Sequence, residues 1–103
     1  MSLPLKKVLD KINKHKELEK DLSSTDLDSK SFAKKSKEYS NLSEIIEYAL
    51  EYSNFETDKK ELEKIILDNN NEEEIKELAK SELETLSNKH QKNETKLKIF
   101  LLP

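Results

Sequence analysis

Residues 72–98 read EEEIKELAKSELETLSNKHQKNETKLK, and this stretch decides the fold. Ile75, Leu78, Ala79, Leu83, Leu86, His90 and Leu97 recur mostly at intervals of three and four, the spacing that gathers side chains on one face of an α-helix. Glu72, Glu73 and Glu74 stand in the first turn, where the positive end of the helix dipole favours carboxylates. No Gly or Pro interrupts the stretch. The spacing therefore predicts one helix over about 72–98, which spans ~40 Å at 1.5 Å per residue. Its apolar stripe thins after Leu86, so the later half is expected to pack more loosely than the earlier one.

Upstream, Asp68, Asn69, Asn70 and Asn71 make a break, because Asp and Asn favour turns. A short helix bearing Leu62, Ile65, Ile66 and Leu67 is expected before it, capped by Thr57 or Asp58. A longer helix is predicted over about 30–54, with Phe32, Tyr39, Leu42, Ile46, Ala49 and Leu50 on one side. Ile45, Tyr48 and Tyr52 widen its apolar arc enough for two neighbouring helices. Residues 23–29 are small and polar and read as a loop, with Asp28 or Ser29 as the next N-cap. Before it, Leu5, Val8, Leu9, Ile12, Leu18 and Leu22 mark a first amphipathic helix, whose inward stripe is interrupted by His15 and Lys16. The expected fold is all-α: an elongated, antiparallel, coiled-coil-like bundle of three longer helices and one shorter.

Composition bounds the function. The 103 residues include 22 Asp and Glu against 19 Lys and Arg, no Gly, Cys or Trp, and 33% hydrophobic residues. One small helical domain over residues 1–103 is expected, with a modest core, since chains of this size bury ~60–70% of their unfolded surface. The lack of cysteine removes disulfides, thiolate metal sites and thiol nucleophiles. The lack of glycine removes the phosphate-cradling loop motifs. No apolar run approaches the ~20 residues of a membrane span. The start, Met1-Ser2-Leu3-Pro4, carries no secretory apolar segment, so a cytoplasmic setting is expected.

The residues that could carry chemistry are few, and each has a plain structural role. His15 and His90 are the only residues of the type whose unperturbed pKa lies near neutrality, but two histidines without partners build neither a metal site nor a catalytic dyad. Glu72, Glu73 and Glu74 fit a solvated helix N-terminus better than an acid–base pair. Lys6-Lys7 and Lys34-Lys35 could meet phosphate, yet all nineteen basic residues are Lys, and no Arg offers bidentate base or phosphate contacts. Residues 58–86 hold five Lys against ten acids, which opposes a broad phosphate-binding surface. Tyr39, Tyr48 and Tyr52 read as core packing with the hydroxyl at the surface. No catalytic, cofactor or metal residue is assigned, and no partner-contact residue is singled out. The apolar Ile99, Phe100, Leu101 and Leu102 need a surface to cover them, and without a following domain they are expected to be disordered, folded back, or buried against a second copy of the chain.

Four stretches in order carry a family resemblance. Leu9-Asp10-Lys11 with Leu18-Glu19 looks like the first helix of the bacterial release factor 1 family. The run from Lys37-Glu38-Tyr39-Ser40 through Leu42 to Ile45-Ile46 is similar to that family's second-helix signature. Glu77-Leu78-Ala79-Lys80-Ser81-Glu82-Leu83 resembles its Met-Ala-x-Glu-Glu-Leu stretch, and Leu101-Leu102-Pro103 its Leu-Leu-x-Pro end. The sister release factor 2 family typically carries a Trp-containing segment after the first helix, and this chain has no Trp.

The resemblance implies the N-terminal helical domain of a class I translation termination factor. In such a factor, later domains read the stop codon in mRNA and carry a Gly-Gly-Gln loop that promotes hydrolysis of peptidyl-tRNA. Neither maps onto these residues, so this segment by itself is expected to be no enzyme. The resemblance further implies an accessory arm facing the ribosomal stalk base and the class II release factor GTPase, with no membrane and no cofactor. Its contact loop would lie at residues 23–29 or 68–71. The competing expectation is a free-standing helical adapter or homodimeric coiled coil that binds another protein.

Overall fold

The computed structural model describes residues 3–101, which form α1 (Leu5–Leu22), α2 (Ser29–Ser43), α3 (Ile46–Leu67) and α4 (Glu73–Leu101). No strand occurs among the described residues. Local chemistry explains most of the ends. Pro4, whose ring fixes φ near the helical value, precedes α1 at φ −59°. Ser23 closes that helix, its hydroxyl donating to the Glu19 carbonyl at 2.9 Å. The Asp28 carboxylate accepts the Ser31 backbone N–H at 2.7 Å and so caps α2 as anticipated. After α3, Asp68 accepts from the Asn70 N–H at 2.9 Å, and the Asn71 amide donates to the Ile65 carbonyl at 3.0 Å.

Two boundaries differ from the sequence expectation. The helix predicted over 30–54 is two rods, broken at Glu44 and Ile45. There the Ser43 hydroxyl turns back to the Tyr39 carbonyl at 2.8 Å, and the Ile45 N–H bonds to Leu42 rather than one residue further back. Such hydroxyl bonds to the preceding turn bend helices, and this bend leaves Ile45 buried. Conversely, Thr57 and Asp58 start nothing: α3 runs straight through them for 22 residues. Both are exposed among the good helix formers Glu56, Lys59, Lys60 and Glu61, and a capping residue caps only where the chain turns. The short helix is thus α2, at 15 residues.

The helices pair as two antiparallel hairpins. In the first, α1 lies against α2, with Asp21 joined to Lys35 at 2.7 Å and His15 to Ser43 at 3.0 Å. In the second, α3 lies against α4, and the pairs Tyr48–Lys96, Glu51–Asn93, Glu51–Lys89 and Phe55–His90 step in opposite directions along the two helices. The first half of α1 crosses onto the start of α3, where the Tyr52 hydroxyl donates to the Leu3 carbonyl at 2.7 Å. The shared core consists of Leu3, Val8, Ile12, Ile45, Ala49, Tyr52 and Leu97. The molecule measures 60 × 30 × 18 Å, with a radius of gyration of 18.3 Å, against ~13 Å for a compact domain of this length.

Burial along α4 revises its sequence reading. A run of covered positions, Lys76, Ala79, Leu83, Leu86, His90, Asn93, Leu97 and Phe100, alternates by three and four, with Ser87, Glu94, Lys98 and Leu101 half-covered beside it. On α3 the same alternation runs through Ile45, Tyr48, Tyr52, Phe55, Lys59, Leu62 and Ile66, the spacing of a left-handed helix pair. Ile75 and Leu78, placed inward by the sequence, are exposed. The later half of α4 is the better packed one, because it reaches the three-helix core, whereas the earlier half faces α3 alone. Leu5, Leu9, Phe32 and Leu50 are also exposed. Of the two residues that interrupt the α1 stripe, Lys16 is exposed and His15 turns toward α2.

Candidate interaction surface

The titratable residues singled out in the sequence fall at separate places in the two hairpins. His15 stacks on Tyr39, ring centroids 4.5 Å apart, and its Nε2 lies 3.0 Å from the Ser43 hydroxyl. His90 lies in the other hairpin, stacked on Phe55 at 3.7 Å and on Tyr52 at 4.7 Å. Its Nε2 is 4.0 Å from Glu94, and its buried Nδ1 has no hydrogen-bond partner. Burial lowers the His90 pKa below its ordinary value, against the pull of Glu94 and Glu56. Among the described residues no three His, Cys, Asp or Glu side chains converge as a metal site.

The charged candidates are solvated or paired. Glu72, Glu73 and Glu74 are exposed, and Glu73 lies 4.0 Å from Lys76. Lys6, Lys7 and Lys34 are exposed as well, whereas Lys35 is held by Asp21. That hydrogen bond lowers the Asp21 pKa and raises that of Lys35. In the middle of the α3–α4 seam Glu51 accepts from the Asn93 amide at 2.9 Å and pairs with Lys89 at 3.0 Å. Both contacts hold the Glu51 carboxyl below its usual range, the Lys89 hydrogen bond contributing most. Asn93 is a buried polar residue that the sequence reading passed over. His90 already stood on the stripe read from the sequence, and the three–four alternation that carries it also passes through Lys76 and Asn93.

Tyr52 is buried with its hydroxyl satisfied inside the molecule rather than at the surface, while Tyr48 lies under the Lys96 ammonium at 4.2 Å. At the end of α4, Phe100 and Leu101 pack in part against the core of their own chain, and Ile99 is 67% exposed. Leu102, the fourth member of that apolar run, lies outside the described residues.

The free end of the α3–α4 hairpin also carries exposed apolar side chains. Leu67 is 78% exposed, Leu78 61% and Ile75 46%. They flank the 68–72 loop, and the surrounding stretch carries twice as many acids as lysines. Scattered exposed leucines are ordinary, whereas three large apolar side chains near one turn concentrate uncovered apolar surface at that end. The opposite end, around 23–28, is more polar, with Phe32 its exposed aromatic. No helix among the described residues is long and apolar enough to cross a membrane.

Comparison with known proteins gives the chain its context. The family model of the PCRF domain matches residues 11–103. Peptide chain release factor 1 of Pelagibacter ubique is 52% identical over 101 residues, which cover 98% of this chain and 28% of that protein. The Wolbachia pipientis protein of the same name is 45% identical over 77% of this chain and 22% of its own length. That of Orientia tsutsugamushi is 40% identical over 89% of the chain and 25% of its own. The chain thus spans about a quarter of the length of these relatives, and no solved structure matches it. The helical chain, matched almost end to end, belongs to the PCRF domain family and is similar throughout to peptide chain release factor 1.

Proposed function

We propose that this chain serves translation termination as the N-terminal helical arm of a stop-codon-recognising class I release factor acting in the cytoplasm. The observation that carries this reading is 52% identity to a peptide chain release factor 1 along 98% of the chain. The shape supports it: an arm works by reach, and two antiparallel hairpins drawn out to 60 Å supply it. In this reading codon recognition and peptidyl-tRNA hydrolysis belong to domains that follow the arm, and the arm by itself hydrolyses nothing. The contact end is the α3–α4 tip with Leu67, Ile75 and Leu78, facing the ribosomal stalk base and the class II factor. The acidic surround favours a basic protein surface there over exposed ribosomal RNA.

The test is a hybrid factor in which this chain replaces the matching segment of the Pelagibacter protein, assayed for peptide release on ribosomes programmed with a stop codon. The hybrid is expected to release peptide and the chain alone to release none. A folded hybrid that stays inactive beside an active parent would overturn the reading and revive the adapter alternative. Substituting Leu67 and Leu78 by Ser is expected to weaken ribosome association of the hybrid without loss of helicity.

A further inference from the structure

His90 occupies a particular place on the arm. Toward the core, α3 and α4 are backed by α1 through Val8 and Ile12. Beyond His90 toward the tip, the two helices have only each other, and the one fully covered side chain there is Ala79. At this boundary the imidazole is stacked on both Tyr52 and Phe55, the ring planes tilted by 15° and 13°. A pocket of about 200 Å³, lined by Glu51, Phe55, Asp58, Leu86, Lys89, His90 and Asn93, adjoins it.

We propose that His90 is a proton-operated latch: neutral, it closes the seam between the three-helix core and the two-helix tip, and protonated, it leaves its slot and loosens the tip. The neutral ring fits because a proton on Nε2 can face Glu94, leaving the buried Nδ1 as a bare lone pair. Protonation turns Nδ1 into a donor with no acceptor beside it, and a buried unsatisfied donor on a cation is costly.

The charged groups around the ring come from both helices. On α4, Glu94 lies 4.0 Å away but is already engaged by Lys98 at 2.9 Å. On α3, Glu56 favours the cation and Lys59 opposes it. Glu51 and Lys89, which line the adjoining pocket, are paired with each other. Asp58 lines the same pocket from α3. Burial outweighs these charges, so the folded protein binds the proton less readily than the unfolded chain. The latch therefore contributes fully above the ordinary His value of 6.5 and is lost as pH falls below it toward the lowered folded value. Glu94 stays ionised over that interval, since its own pKa is lowered from 4.5.

The test uses the whole chain and its His90→Phe variant, which keeps an aromatic ring in the slot and removes the titration. By proton NMR the His90 ring should titrate below 6.5. Acidification from pH 7.5 to 5.0 should shift the Tyr52 and Phe55 ring signals and speed amide exchange in residues 56–67 and 73–89, but leave residues 45–52 protected. His90→Phe should lose that pH response. A His90 midpoint at or above 6.5, or an equal pH response in the variant, would overturn the latch. Should the variant fail to fold, the titration and exchange of the unmodified chain decide alone.

Discussion

At the scale of single residues, burial ranks the side chains more sharply than hydropathy does. Leu97 and Leu67 are the same residue type on adjoining helices, yet Leu97 is 1% exposed and Leu67 78%. Leu97→Ala should cost about 2–5 kcal/mol in urea unfolding, as a core truncation with its cavity does, and Leu67→Ala under ~0.5 kcal/mol. Asp28 tests the cap. The Ser31 backbone N–H, its largest influence, holds the carboxylate below 3.8. The folded form therefore favours the charged side chain, whose contribution is present above the ordinary value and lost as pH falls through the lowered one. Asp28→Ala should be less stable than the parent at pH 7, and the gap should close as the pH is lowered toward 2. This cap was legible in the sequence because it depends on neighbours three residues apart. The burial of Asn93 and the exposure of Leu78 were not, since both depend on the residues of α3.

At the scale of elements, the continuity of α3 is the clearest test of the revised boundaries. Were a helix to begin at Thr57, a proline at position 58 would sit at its first turn and be tolerated. In the interior of α3 it removes a backbone hydrogen bond and clashes with the preceding turn, so Asp58→Pro should cost ~3 kcal/mol or more, read from thermal or urea unfolding. The seam offers a second check. Glu51 and Asn93 touch across it at 2.9 Å, and a double-mutant cycle of their alanine variants should show a coupling of roughly 0.5–3 kcal/mol. A polar contact inside an apolar seam matches best in one register. Losing it should broaden the exchange behaviour of α3 and α4 before it unfolds them.

At the scale of the whole molecule, small-angle scattering should return a radius of gyration near the 18.3 Å of the structure rather than the ~13 Å of a compact chain. The helical class, the drawn-out bundle, the loop at 23–28, the Asp28 cap and the turn after Leu67 were all written in local sequence. Periodicity, turn chemistry and capping act over a few residues and need no tertiary partner to be read. The release factor likeness was legible for a related reason, being carried by short runs in a fixed order. Tertiary structure decided the rest. It broke the predicted second helix at Glu44 and Ile45, where α1 and the shared core bury Ile45, and it carried α3 past Thr57 and Asp58 because nothing there had to turn. It also placed polar Asn93 inside the seam beside His90 and left Leu67, Ile75 and Leu78 outside, since in a pair of helices the partner's surface, rather than hydropathy, determines which side chains are covered.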